Sequence, residues 1–326
     1  MKAIVVSRLG GPEVLKLVEM PIPPIGPKQV LIKVEKTSVN FADIKSRSGK
    51  KGEGNFPFVP GLDAAGTIVE IGNEVQNHSV GQRVVAFPAN GSYAEYVAAD
   101  ENLTFSIPES LDFNVAAASP TVSFLSYKLL AKIGRIEEGE TVVVHSAAGG
   151  VGLTAVQMAK ILGAGRVIGT VGNQLKADAV LHAGADEVIV YEQEDFAKRV
   201  NELTNGEGAH IILDSVAGRI SEKSMNCLAD YGRLVHFGNS SGVAGTFRTS
   251  ELHASCRSVL GFSFGTTRKK RPHTLQSTAK KVFEYLEDGR LKMNIGKILP
   301  LEEAAHAHAL IESRKNIGKI LLSIKD

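Results

Sequence analysis

The chain has no tryptophan and only two cysteines in 326 residues. Two thiols cannot furnish a four-cysteine structural zinc site, and Cys227 and Cys256 are too widely spaced for a C-x-x-C redox pair, so both read as inert core or surface thiols. Aromatic residues make up 6% of the sequence, too few for a platform on which single-stranded nucleic acid would stack. Neither sign of charge is in excess: 37 basic and 35 acidic side chains leave a net charge of +2. Whole-chain charge therefore gives no case for a nucleic-acid partner. The one basic cluster, Arg268, Lys269, Lys270 and Arg271, reads as a solvated loop. No apolar run reaches membrane-spanning length, and the run in "MKAIVVSRLGG" is too short for a signal peptide. A cytoplasmic protein with no membrane partner is expected.

What is present is an ordinary globular composition, 43% hydrophobic and 22% charged, in a chain long enough for two domains. The first third carries short β-branched runs ("KAIVV", "QVLIKVEKTSV", "GTIVEIG", "QRVVAF", "AEYVA") between turn signals, which predicts a small barrel or sandwich. Pro21, Pro23, Pro24 and Pro27 impose an extended connector. From about Ala116 the texture changes. "TVSFLSYKLLAKIG" predicts a helix, and "ETVVVHSAAGGVGLTAVQMAKILGAGRVIGTVG" a strand, a glycine turn, a helix and a strand. Helix–strand alternation then repeats in "KADAVLHAGA"/"EVIVY", "DFAKRVNELT"/"HIILDSV" and "SEKSMNCLAD"/"GRLVHFG". Apolar strands alternating with amphipathic helices predict a parallel sheet covered on both faces, an α/β fold. After about residue 265 the pattern predicts the basic loop, a long helix in "TLQSTAKKVFEYLEDG", a short strand, a helix and the strand "GKILLSI".

The stretch "VVVHSAAGGVG" carries the strongest chemical signal. Against G-x-G-x-x-G, Ala147, Gly149 and Gly152 take the three glycine positions, with the first changed to alanine. Such glycines permit a tight turn, close approach to a pyrophosphate and packing of the next helix on the sheet. A helix opening near Val151 would aim free N–H groups at the phosphates. About twenty residues beyond the last glycine, NAD-specific folds place an acid for the ribose 2′-hydroxyl. That position is Gly172, and Lys176 follows. Missing acid and added base together favour NADPH.

With these residues in hand, the whole chain resembles the zinc-independent quinone oxidoreductases of the medium-chain dehydrogenase/reductase superfamily, the zeta-crystallin-like branch. The resemblance rests on "SVNFAD" (38–43), "VPGLDAAGTIVEIG" (59–72), "AAGGVG" (147–152), "DSV" (214–216), "FGNSSG" (237–242) and "ESRKNIGKILL" (312–322), in family order. It implies a GroES-like β-barrel domain over 1–120, completed by 266–326, and a Rossmann doubly wound parallel-sheet domain over 121–265 that binds NADPH. It also implies a homodimer, formed through the edge segment "SVLGFSF" (258–264). Carried over by position, Asn40 would sit near the nicotinamide as an orienting amide, and Ser126 stands where relatives often have threonine. Gly149, Gly150, Val151 and Gly152 would face the pyrophosphate. Lys176 would bind the 2′-phosphate beside Gly172, with Tyr191 at the adenosine end. Ser215, Phe237, Gly238, Asn239 and Ser240 would line the ribose and nicotinamide side, and Arg314 would reach in from the C-terminal segment.

In the zinc alcohol dehydrogenases a cysteine and a His-Glu pair hold the metal. Here Asn40 takes the cysteine place, Leu62 and Asp63 follow Pro60-Gly61, and the four-cysteine lobe is replaced by "PANGSYAEY". No metal is expected. His306 and His308 lie two apart on a predicted helix and point to different faces, and Asp43 and Asp63 read as hydrogen-bonding or capping acids. Without a Lewis acid, alkoxide chemistry loses its support, whereas a quinone or an α,β-unsaturated carbonyl spreads incoming hydride charge over itself. The expected reaction is NADPH-dependent quinone reduction, with alkenal, enone or enoyl-thioester reduction as the alternative. A non-catalytic NADPH- or RNA-binding protein is a third reading, with the 268–271 cluster its only support. The segment "IKSRSGKKGEGNF" departs from relatives that carry tyrosines there. Its Lys45, Arg47, Lys50 and Lys51 read as solvated, or as a loop that admits anionic or bulky acceptors, which leaves the acceptor open.

Overall fold

The computed structural model describes residues 1–50, 55–89 and 91–324, so Lys51 and Asn90 lie outside the described residues. The chain divides into two compact units: Val122–Lys270 with Gly289–Lys292, and Met1–Thr121 with Arg271–Asp288 and Met293–Asp326.

The first of these is built on six parallel strands. Their spatial order is Glu187–Val190, Arg166–Val171, Thr141–Val144, Ala209–Asp214, Leu228–His236 and Ser258–Gly261. In chain order this is the doubly wound 3-2-1-4-5-6 arrangement, which reverses direction between the strands Thr141–Val144 and Ala209–Asp214. The strand "TVVV" is buried at every residue, as a central strand covered on both faces must be. Val143, Ile168, Ile189, Ile212 and Leu234, one from each of five strands, form one apolar layer with Phe196 and Val200 of the helix Phe196–Leu203. Asp195 caps that helix through Oδ1, which accepts from the N–H groups of Ala197 (3.0 Å) and Lys198 (3.2 Å).

The other unit holds a seven-stranded sheet in the order Ile295–Pro300, Lys319–Ser323, Gln29–Val39, Ala64–Ile71, Arg83–Ala86 and Thr104–Ser106, with Tyr96–Asp100 also paired to Gln29–Val39. Alternate residues Val30, Ile32 and Val34 face inward with Ala64, Ile68, Val84 and Val97. A separate hairpin pairs Lys2–Val6 with Leu15–Glu19.

Three sequence expectations change. The basic cluster is no loop: Arg268, Lys269 and Lys270 form the last turn of a helix, Phe264–Lys270. Cations there face the negative helix terminus, and Phe264 anchors the other end in the interior. The helix read over "SEKSMNCLAD" ends early. Arg219–Ser224 is α-helical, Met225–Cys227 is a 3₁₀ turn, and Leu228 already pairs with Ala209 as strand. Burial of Leu228 and Ala229 against the sheet overrides their helical preference. Arg47, read as part of a basic loop, ends the helix Phe41–Arg47 and is fully buried. Among the described residues, no helix is long and apolar enough to cross a membrane.

Candidate cofactor and active site

The glycine turn forms where strand order reverses. Ser146 takes a left-handed backbone (φ 55°), Gly149 caps, and the helix runs Gly150–Ile161. Its first N–H groups have no carbonyl one turn earlier to bond, which makes the turn a receiver of anions. Gly152 is required by contact: a Cβ there would lie 2.4 Å from the Ser146 carbonyl oxygen. Gly149 is open outward, with only that same oxygen within reach, at 3.4 Å. Alanine fits the first glycine position because the neighbouring strand has Gly169, whose Cβ would approach the Ala147 methyl to 2.9 Å. Ser126, from the preceding helix Pro120–Tyr127, donates its hydroxyl to the Val151 carbonyl at 3.3 Å. Sequence reasoning placed Ser126, Gly149, Gly150, Val151 and Gly152 at one site, and they are together.

At the next strand end, Tyr191 donates its N–H to the Val171 carbonyl (3.1 Å), so Gly172 and Tyr191 are neighbours. A Cβ on Gly172 would lie 2.9 Å from the Tyr191 hydroxyl oxygen and 3.6 Å from Oε1 of Glu192. Lys176 closes a 3₁₀ turn, Gln174–Lys176, just beyond.

Across the reversal, two loops are tied together. Phe237 donates its N–H to the Asp214 carbonyl (2.9 Å), Ser240 to that of Ser215 (3.1 Å) and Ser241 to that of Val216 (3.0 Å). Gly238 packs closely here, since a Cβ would meet the Ser215 carbonyl oxygen at 3.0 Å. Asn239 holds its own loop through Oδ1, which accepts the Gly242 N–H at 2.7 Å. Beneath them is a buried polar set that sequence reading missed. Asp214 accepts from Val216 N–H (2.8 Å), Ala217 N–H (3.0 Å) and the Ser221 hydroxyl. Burial pushes its pKa up, but those hydrogen bonds and His145 bring it below the ordinary value. His145 contacts Thr170 Oγ1 through Nδ1 and Ser224 Oγ through Nε2, both at 2.9 Å. Burial lowers its pKa to about 4.

In the other unit, Asn40 opens the helix Phe41–Arg47, and its N–H donates to Asp43 Oδ2 (2.8 Å). Its side chain is almost wholly buried. Lys319, from the C-terminal strand, donates to Asn40 Oδ1 (2.8 Å) and to the Val39 carbonyl (3.1 Å). An ammonium only donates, so this contact fixes which end of the amide is oxygen. The amide nitrogen then faces Asp63 Oδ1, the Ser38 hydroxyl and the Ser38 carbonyl, each at 3.3 Å. Asp63 also accepts from Ser38 Oγ (2.6 Å) and from Thr121 N–H (3.2 Å). Burial lowers the Lys319 pKa, against the opposing pull of Asp63 and Asp43. Farther along, Tyr93 donates its hydroxyl to Asp43 (3.3 Å) and meets His308 Nε2 at 3.1 Å, and buried Arg47 pairs with Glu312. Asp43 and Asp63 are thus hydrogen-bonding acids. Arg314 follows the helix Ala304–Glu312, exposed and in left-handed backbone (φ 55°). No spacing rule links Lys319 to Asn40, 279 residues apart in sequence.

Among the described residues, no group of three His, Cys, Asp or Glu side chains gathers as a metal-ligand set.

A family profile described as alcohol dehydrogenase GroES-like domain matches residues 26–109, and one described as zinc-binding dehydrogenase matches 150–282. Quinone oxidoreductase 1 of Escherichia coli (strain K12) is 37% identical over 324 residues, 96% of each chain. The quinone oxidoreductase of Pseudomonas aeruginosa is 36% identical over 329 residues, 98% of this chain and 99% of that one. Among solved structures, the Escherichia coli quinone oxidoreductase complexed with NADPH matches with a TM-score of 0.92 at 34% identity, covering 99% of this chain and 100% of that chain. A mycobacterial protein complexed with NADPH matches at 0.91 and 36% identity, with the same coverage. The chain belongs to the zinc-independent quinone oxidoreductase family of the medium-chain dehydrogenases/reductases.

Proposed function

We propose that the protein is an NADPH-dependent reductase of quinones that works without zinc. One observation carries the reading. At the strand-order reversal, an open glycine turn and a helix N-terminus lie beside a ribose position where glycine replaces the usual acid. That arrangement fits a phosphorylated dinucleotide: space above Gly149, close packing at Gly152, and Lys176 just past Gly172.

NADPH, when bound, supplies a hydride; with one proton from water, a quinone becomes a hydroquinone and NADP⁺ is left. The chain's own part is to bind and orient. The N–H groups at 150–152 would hold the pyrophosphate, Lys176 the 2′-phosphate, and Tyr191 the adenosine end. The paired loops carrying Ser215 and Phe237–Gly238–Asn239–Ser240 would flank the ribose and nicotinamide. Ser126 braces the turn through Val151. Asn40 and Arg314 are proposed cofactor contacts on the family resemblance alone, Asn40 as an amide whose orientation Lys319 fixes. On the same resemblance we take the protein to be a cytoplasmic homodimer. Among the described residues the strand Ser258–Gly261 is paired on one side only, to Leu228–His236, and we take it as the edge offered to a second copy. The resemblance also carries the domain division at 120 and 265.

Steady-state NADPH oxidation against a panel of quinones and a panel of enones tests the activity. Turnover with quinones is expected, and none with any quinone refutes it. Lys176→Ala is expected to weaken NADPH much more than NADH; equal losses refute the phosphate role.

A further inference from the structure

The adenosine end of the site holds a charge that the sequence pattern alone hides. In a fold of this strand order, the ribose 2′ group lies over the carboxyl end of the second strand, where an NAD-specific chain places an acid. The backbone position here, Gly172, has no side chain. The parallel register sets Val171 beside Val190, so the residues just past the two strand ends share one rim. From that neighbouring rim, Oε1 of Glu192 reaches to 3.6 Å from the point where a Gly172 Cβ would stand. A carboxylate oxygen thus stands beside position 172, next to the Tyr191 hydroxyl, which is nearer at 2.9 Å. The nearby Asp195 is already spent on capping the helix Phe196–Leu203 and on Lys223 (3.0 Å). Glu192 makes no such cap.

We propose that Glu192 is a specificity-determining residue for the dinucleotide. Its carboxylate opposes a 2′-phosphate and accepts a free 2′-hydroxyl, so it offsets part of the preference that Lys176 creates and lets the protein take NADH as well as NADPH. The inference deepens the cofactor assignment above and rests on it.

The test is direct binding of each dinucleotide to the full chain, read by the fluorescence of the reduced nicotinamide, with no acceptor present. Glu192 lies on the surface, so Glu192→Gln keeps size and removes only charge. At low ionic strength, Glu192→Gln is expected to tighten NADPH by about threefold to tenfold and to leave NADH unchanged or slightly weaker. The gain should shrink at half-molar salt, where a partly exposed charge is screened. NADPH affinity that does not change, or both dinucleotides shifting by the same factor, overturns the inference and leaves the cofactor assignment standing. Failure of the unaltered chain to bind either dinucleotide overturns both.

Discussion

His145 gives the sharpest test of the buried chemistry at the sheet's switch point. Its two ring nitrogens contact Thr170 Oγ1 and Ser224 Oγ. The Ser224 hydroxyl spends its single hydrogen on the Ile220 carbonyl, at 2.7 Å. Nε2 must therefore be the donor to Ser224, and Nδ1 accepts from Thr170. The ring is neutral, because a second proton would place a cation in a fully buried site. Burial accordingly lowers the pKa from 6.5 to about 4. A histidine with a depressed folded pKa takes up protons more readily when unfolded. Its contribution is intact above about pH 6.5 and is lost as pH falls towards 4. Linkage over that window removes about 2 kcal/mol between pH 7 and pH 5, from this one residue. His145→Gln offers both hydroxyls a partner and does not titrate. Urea unfolding followed by far-ultraviolet circular dichroism at the two pH values should show the original chain losing about 2 kcal/mol more than the variant. Equal losses would refute the neutral buried imidazole.

Three further outcomes are expected. Lys319→Met leaves Asn40 Oδ1 and the Val39 carbonyl without their donor and Asp63 without a nearby cation; urea unfolding should show a loss of about 3 kcal/mol, and unchanged stability would contradict the network. Gly169→Ala sets a methyl 2.9 Å from Ala147 Cβ and 2.5 Å from Val180 Cγ1, so about 1–3 kcal/mol should be lost, with part recovered by adding Ala147→Gly. A melting temperature equal to the original would count against that packing. Val259→Pro removes an outward-facing N–H from the edge strand Ser258–Gly261, and, on the proposed homodimer, light scattering should report a monomer in place of the dimer expected of the original chain. A dimer in both would place the interface elsewhere.

The parts of this molecule that were legible in its sequence are those whose chemistry is local. The turn from His145 to Gly152 declares itself because eight residues contain the strand end, the left-handed turn, the cap and the helix start. The apolar runs of the parallel sheet are legible because burial on both faces leaves no polar alternation. The basic stretch at 268–271 misled because charge patterning says nothing of what Phe264 does at the other end of the same helix. Leu228 was assigned to the preceding helix because its strand partner, Ala209, is chosen by the sheet and not by its neighbours in the chain. Glu192 and Lys319 were silent for the same reason. Each acquires its role from a residue just past the end of another strand, at Gly172 and Asn40.

The place of the strand Lys319–Ser323 bears on how the chain is made. It lies inside the seven-stranded sheet, between Ile295–Pro300 and Gln29–Val39, with Leu322 opposite Thr37 and Ile320 opposite Val39. During synthesis the strand Gln29–Val39 can find Ala64–Ile71 and Tyr96–Asp100 early, yet the edge at Lys36–Val39 waits for Ile320–Ser323 to emerge. The parallel-sheet unit, contiguous but for four residues, has no such wait. Its folding can run ahead, while the other unit carries an open sheet edge, and an Asp63 carboxylate without the Lys319 cation, until the strand Lys319–Ser323 arrives. Loss of the strand Lys319–Ser323 would therefore be felt nearly three hundred residues earlier, as an unclosed edge at Lys36–Val39.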